Sequence, residues 1–259
     1  MRILRLPLLF LLLSLSFLQP VHAQVDPGGT AGGGPAVKGG TLNDTSRSEE
    51  LSTRDQHYDP LERFNDDIFK FNLAFDRRVL KPVAETYAAA VPISVQTGVR
   101  NAVDNLDVVR KVVNNLLQAK PVSASRELAR FVLNSTVGIA GIFDMAGKLG
   151  LEPSDQDMGI TLGLYGFSHG AYLVLPLLPS TTVRDGLGTV ADSLMNPLGY
   201  FTPYYVPLAV RVTDTVNSRA LNIKTFEALA LSIDPYGAAR NAYLQVRQRK
   251  LRAARTSGP

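Results

Sequence analysis

The features that most constrain the fold are the glycines and charges that cut the apolar stretches short. Val137-Gly138-Ile139-Ala140-Gly141-Ile142-Phe143 is apolar on all sides, but Asp144 and Lys148 stop it. It stays well below the ~20 residues that a bilayer span needs. Its glycines at i and i+3 let another helix, or lipid, approach the backbone closely. The block therefore reads either as a buried core helix or as a membrane-embedded half-helix. A second block, Ile160 to Leu178, is punctuated by Gly163, Gly166 and Gly170. That spacing forbids one regular helix and predicts a glycine-hinged loop with short helical or extended pieces.

The rest of the body carries a helical period. Asp59-Pro60-Leu61-Glu62 has a capping residue, a proline for the first helical position and an acid placed as in a capping box. Leu61, Phe64, Ile68, Phe71 and Phe75 then recur at spacings of 3, 4, 3 and 4, which is one face of a helix. Such a stripe most often faces a core. Pro82 is expected to break this helix and start another through Tyr87. A third carries Val95, Val99 and Val103, and the period continues through Leu106, Val109, Val113 and Leu116 to Pro121. Helix resumes near Ser123 with Leu128, Phe131 and Val132 expected inward. Ser180 or Thr181 is expected to cap a helix with Val183, Leu187, Val190 and Leu194 inward, ending at Asn196-Pro197. Asp234-Pro235 starts a last helix that contains no acid and gathers Arg240, Arg247, Arg249, Lys250, Arg252 and Arg255. Its basic face suits an anionic surface or open solvent. Tyr200, Phe201, Tyr204 and Tyr205, set among prolines, suit a membrane–water boundary or an ordinary packed turn.

Arg2 and Arg5 precede an apolar run that ends at Leu18, and Val21-His22-Ala23 offers small residues before a cut. This is the order of a cleavable secretory signal over 1–23, with cleavage after Ala23. Residues 24–56 read as a flexible glycine-rich tether, and 57–259 as the helical domain. Charged residues make up only 19% of the chain, which favours contact with something apolar. The net charge of +4 is too mild to imply nucleic acid. There is no cysteine, so thiolate zinc sites, disulfides and lipid attachment at a cysteine are excluded.

Gly166-Phe167-Ser168-His169-Gly170 matches the G-x-S-x-G nucleophile elbow of α/β-hydrolases. That chemistry needs a histidine base later in the chain, and none follows His169. It also needs alternating strands and helices, whereas this chain reads helical. Three histidines, one of them in the signal, make no metal cluster, and no phosphate-binding glycine loop is present. No enzyme, cofactor or metal is expected; an esterase using Ser168 is the weakest alternative.

Five segments then fall in order. Asp59-Pro60-Leu61-Glu62-Arg63-Phe64-Asn65 with Phe69-Lys70-Phe71-Asn72, and Leu80-Lys81-Pro82-Val83-Ala84, resemble the opening of the MlaA/VacJ family. Asn134-Ser135-Thr136-Val137-Gly138 is similar to a further stretch. Gly159-Ile160-Thr161-Leu162-Gly163-Leu164-Tyr165-Gly166, with Gly170 to Pro176 and Arg184-Asp185-Gly186, looks like its central block, and Ser232-Ile233-Asp234-Pro235-Tyr236 like its end. The resemblance implies an all-α, multi-helix, ring-like single domain, embedded in or lying on the outer membrane around an amphipathic channel. It implies transport of mislocalised phospholipids out of the outer leaflet, which maintains lipid asymmetry. The implied partners are phospholipids, an outer-membrane porin trimer and a periplasmic MlaC-like carrier. Asn65, Phe71, Asn72, Tyr165 and Gly166, from the shared motifs, are the candidates for lining or shaping the lipid path. The chain departs from the family in lacking a lipobox cysteine, in Ala171 where proline is common, and in Leu178-Pro179 where Gly-Pro is common. An envelope scaffold without transport is the other reading.

Overall fold

The computed structural model describes residues 59–256. The expected signal and tether lie outside the described residues. Helices α1 (Glu62–Phe75), α2 (Lys81–Ala90), α3 (Ile93–Leu106), α4 (Val108–Leu117) and α5 (Pro121–Thr136) come first. The short α6 (Met145–Lys148) and α7 (Met158–Leu164) follow. A two-residue antiparallel pair, β1 (Tyr172–Leu173) and β2 (Thr181–Thr182), closes the central loop with Tyr172 opposite Thr182. The chain ends in α8 (Val183–Leu194), α9 (Leu198–Phe201), α10 (Tyr205–Leu221), α11 (Ile223–Ala230) and α12 (Pro235–Thr256).

The packing makes a circuit. Helix α2 lies on α10, α10 on α3, α3 on α4, α4 on α7, and α7 on both α8 and α12. Asp59 closes the ring, accepting from the Tyr236 hydroxyl and pairing with Arg240 of α12 at 3.5 Å. Polar bonds tie other seams. Arg219 of α10 holds Asp76 at 2.7 and 3.0 Å, and Asn217 of α10 donates to the Gln96 carbonyl of α3 at 2.9 Å. No described helix is long and apolar enough to cross a membrane.

Helices α5 and α8, and part of α1, are oriented opposite to expectation. In α8, Leu187, Val190 and Leu194 are 63%, 48% and 50% exposed, whereas Arg184 and Asp185 are 8% and 5% exposed. In α5, Leu128, Phe131 and Val132 face out, and Ala124, Glu127, Arg130 and Asn134 are buried. In α1, Leu61, Phe64 and Phe71 are exposed while Asn65 is fully buried. Among the described residues, fifteen buried polar or charged side chains stand against eleven buried apolar ones. A water-soluble core has the opposite balance. The apolar core that exists is small: Tyr172, Val174 and Tyr236, with Ile68, Phe69 and Tyr243 packed on it.

Other local expectations also shift. The first helix starts at Glu62 rather than at Pro60. Asp59 instead accepts from the Leu61 N–H at 3.1 Å and serves the α12 seam. Pro82 does not break the helix. A five-residue π-helical turn, Asp76–Leu80, joins α1 to α2 and widens the coil just before the proline, whose missing N–H and bulky ring a regular helix would not absorb. The Leu106–Leu116 period is interrupted at Asp107, and α5 begins at Pro121 rather than Ser123. Thr182, not Ser180 or Thr181, caps α8, accepting from the Asp185 N–H at 3.3 Å. Val137 to Phe143 is neither kind of helix. It coils back on α5, with the Gly141 N–H donating to the Asn134 carbonyl at 2.8 Å. Ile139, Ala140 and Gly141 all have positive φ, and Val137, Ile139, Ile142 and Phe143 point outward.

The central block behaves as expected: helix α7, a turn at Gly166 with φ +92°, then extended pieces. Its glycines permit close packing. A Cβ on Gly188 would stand 2.4 Å from the Gly159 backbone nitrogen, so α7 and α8 touch almost main chain to main chain. Asp234-Pro235 opens α12 as expected, with Asp234 accepting from the Gly237 N–H at 2.9 Å.

Candidate functional site

Two of the motif asparagines hold the central loop. The Asn65 amide donates to the Tyr172 carbonyl and accepts from the Val174 N–H, both at 2.9 Å. Two helical turns on, Asn72 repeats the grip, donating to the Leu175 carbonyl at 2.9 Å and accepting from the Leu177 N–H at 2.8 Å. Spacing i, i+7 puts both amides on one face of α1, and each satisfies a donor and an acceptor of the loop backbone. Phe71 of the same helix is exposed. Tyr165 and Gly166 lie elsewhere, at the end of α7. The Tyr165 hydroxyl donates to the Leu117 carbonyl of α4 at 2.5 Å, and Gly166 borders open space. Tyr200, Phe201, Tyr204 and Tyr205 form an exposed aromatic promontory at α9 and the start of α10, with Phe201 88% exposed.

Charges are buried where the helices of the ring meet, and of these the motif segments mark only Arg184 and Asp185. Arg247 of α12 bridges two carboxylates: Asp157, the cap of α7, at 2.6 and 2.9 Å, and Asp185 of α8 at 2.8 and 2.9 Å. Tyr243 adds a hydrogen bond to Asp185 at 2.6 Å. Burial pushes both carboxyls up, but the Arg247 guanidinium beside them outweighs it and holds each below the usual carboxylate range. Asp192, at the end of α8, is different. Burial raises it to about 6 despite Arg110, the Met158 N–H and Asn114. Arg110 of α4 pairs with Asp107 at 2.6 Å. Asp104 of α3 lies within the electrostatic reach of Lys111, and Asp214 of α10 within that of Arg211. Burial raises both Asp104 and Asp214, and Asp104 further raises Asp214. Asp104 nevertheless reaches water, so it sits in a concavity. A cavity of about 100 Å³ lies there, bordered by Asn101, Asp104, Asn105, Lys111, Glu127 and Arg130.

Sequence reasoning missed this lining, although a signal was present. Asp104, Asp107, Lys111 and Asn114 recur at 3, 4 and 3, a polar stripe on helices otherwise rich in valine and leucine. The hydrolase motif has no catalytic geometry. Ser168 follows the end of α7 rather than a strand, and the His169 Nδ1 lies 2.6 Å from the Gly170 carbonyl.

A circuit of helices that exposes apolar side chains and buries charges, with no spanning helix among the described residues, defines the class of protein. The chain belongs to the MlaA lipoprotein family, whose model matches residues 57–250. An uncharacterised protein of Rickettsia bellii is 37% identical over 194 residues, which are 74% of this chain and 76% of that one. The intermembrane phospholipid transport system lipoprotein MlaA of Haemophilus influenzae is 33% identical over 81% of this chain and 83% of its own. The protein of the same description in Escherichia coli is 33% identical over 72% and 76%. A solved structure described as the structural basis for maintenance of bacterial outer membrane lipid asymmetry matches with a TM-score of 0.69 at 33% identity. It covers 75% of this chain and all of the other. Those named relatives are lipoproteins, whereas this sequence has no cysteine.

Proposed function

We propose that this chain transports phospholipid. It removes mislocalised phospholipids from the outer leaflet of the outer membrane through an amphipathic channel and passes them to a periplasmic MlaC-like carrier, beside a porin trimer. One observation carries the reading: α5 and α8 turn apolar side chains outward and bury charges, and α1 exposes Phe64 and Phe71 while burying Asn65. A phospholipid in transit needs a wet surface for its head and a greasy one for its tails, and this inversion supplies both. The names of the Haemophilus and Escherichia relatives support the same reading. The chain works at the periplasmic side of the outer membrane after export, held by its apolar rim and its partners rather than by a lipid on cysteine. Asn65 and Asn72 shape the path by holding the central loop, and Phe71, Tyr165 and Gly166 border it. Tyr200, Phe201, Tyr204 and Tyr205 sit at the membrane–water boundary. Transport needs no covalent chemistry, so Ser168→Ala leaves function intact.

Membrane fractionation with mass spectrometry of bound lipid tests location and ligand together. Outer-membrane recovery with bound phospholipid is expected. Recovery free of lipid from the aqueous fraction, or unchanged surface phospholipid in a deletion strain, would overturn the reading. Correct membrane location without bound lipid would favour a scaffold instead.

A further inference from the structure

Helices α9 and α11 flank α10 and share one property. Among the described α-helices, they alone have no buried residue. The four-residue α9 ends at the exposed Phe201. Helix α11 is eight residues long, and five of them are apolar: Ile223, Phe226, Ala228, Leu229 and Ala230. An apolar helix of a water-soluble domain buries one face. Helix α11 does not, and it runs directly into Leu231, which is 85% exposed, and Ile233, which is fully exposed. No other aliphatic side chain among the described residues stands so far out.

The turn that carries this pair satisfies its own polar groups. The Leu231 N–H donates to the Glu227 carbonyl at 3.0 Å, and the Ser232 N–H to the Leu229 carbonyl at 3.2 Å. The Ser232 hydroxyl turns back onto the same Leu229 carbonyl at 2.7 Å. These three donors need no water, which is the condition for placing a turn against hydrocarbon. Nearby charges are engaged within the protein. Glu227 pairs with Lys81 at 2.9 Å, and Asp234 accepts from the Gly237 N–H at 2.9 Å. Asp234 follows Ile233 directly, so only the two aliphatic side chains and the end of α11 can leave water.

We propose that Leu231 and Ile233 form an insertion tip that enters the acyl boundary of a phospholipid bilayer, with α11 lying at the level of the headgroups. A protein partner fits the tip poorly. Two aliphatic side chains offer on the order of 200 Å², about a quarter of the ~800 Å² per partner that a specific interface buries. Hydrocarbon needs no matching surface and takes up a protruding side chain of any shape. The face that α12 exposes carries Asn241, Gln245, Arg249 and Arg252 and no large apolar side chain, so the chain returns to water at Asp234. The proposal rests on the membrane placement argued above and not on transport.

The chain contains no tryptophan, so Ile233→Trp puts a single indole at the tip. The test mixes the full chain carrying this substitution with vesicles of phosphatidylethanolamine and phosphatidylglycerol. Its emission is read against two quenchers, lipid brominated on the acyl chain and aqueous iodide. Blue-shifted emission, quenched by the brominated lipid and shielded from iodide, is expected. Gln245→Trp, on the exposed polar face of α12, is expected to respond to iodide alone. Leu231→Ser with Ile233→Ser lowers vesicle binding in flotation about 10²-fold. The melting temperature stays unchanged, because neither side chain is buried. An indole at 233 that iodide reaches while the chain floats overturns the tip and leaves the membrane placement standing. Blue-shifted emission without vesicles that grows with protein concentration shows a second copy covering the tip, and overturns it equally. A chain that neither floats nor binds lipid overturns the tip and the membrane placement together.

Discussion

Replacing Leu187, Val190 and Leu194 of α8 together, as Leu187→Gln, Val190→Thr and Leu194→Gln, separates a lipid-facing rim from a dry core. Fully transferring a leucine or valine side chain out of water is worth about 1.5–3 kcal/mol. Each of these three is roughly half to two-thirds exposed, at 63%, 48% and 50%. Each therefore contributes about 1 kcal/mol to membrane association, and the three together about 3–4 kcal/mol. That weakens binding to vesicles about 10²- to 10³-fold. Fold stability is nearly untouched, because the protein side of α8 is made by Arg184, Asp185 and Gly188. If the stripe instead filled a core, truncating it would cost about 2–5 kcal/mol per large residue and unfold the domain. Vesicle flotation reads the first quantity, and thermal melting by circular dichroism in detergent reads the second. A melting temperature that collapses while the remaining folded protein floats as before would refute the inversion of α8.

Asn65→Ala leaves the Tyr172 carbonyl and the Val174 N–H buried without partners, at about 1–3 kcal/mol each. A melting temperature lower by about 5–15 °C is expected, with a smaller loss for the half-buried Asn72→Ala; equal, negligible losses would sink the clamp. Acid has two opposed effects. Asp157 and Asp185 lie below their unfolded values, so the stability they contribute is present above about pH 4 and is lost as the pH falls further. Asp192 is raised to about 6, so the folded state gains as the pH falls through 6, by about 1–2 kcal/mol after allowing for its partial contact with solvent. Melting temperature should thus peak near pH 5, and Asp192→Asn should reduce the rise between pH 7 and 5, leaving only what the raised Asp104 and Asp214 contribute. Arg247→Met strands the buried Asp157 carboxylate and leaves Asp185 only Arg184 and Tyr243, and is expected to cost about 3–5 kcal/mol at neutral pH, measured by denaturant unfolding. A loss below 1 kcal/mol would show that the network is not what joins α7, α8 and α12.

The sequence by itself determined where most helices run and which residues share a face, but not the continuity through Pro82 or the coil at 137–143. The 3.6-residue period, the proline and aspartate at the start of α12, and the glycine hinges from 163 to 170 are local features, and local geometry follows from them. The motif segments likewise carried the family. Which medium each face meets was left to the tertiary structure. A stripe of Leu187, Val190 and Leu194 has the same period whether it is buried in a core or turned toward lipid. What decides is that Asp185, held by its neighbour Arg184, finds Arg247 and Tyr243 of α12 on the opposite side. The same holds for Asn65, whose amide is only a polar residue on an apolar helix until folding brings residues 172–174 against it. The charged interior depends on contacts across gaps of many residues in the chain, such as Arg247 with Asp157 and Asp185. Such pairings are fixed by how helices close into a ring, and no spacing along the chain encodes them.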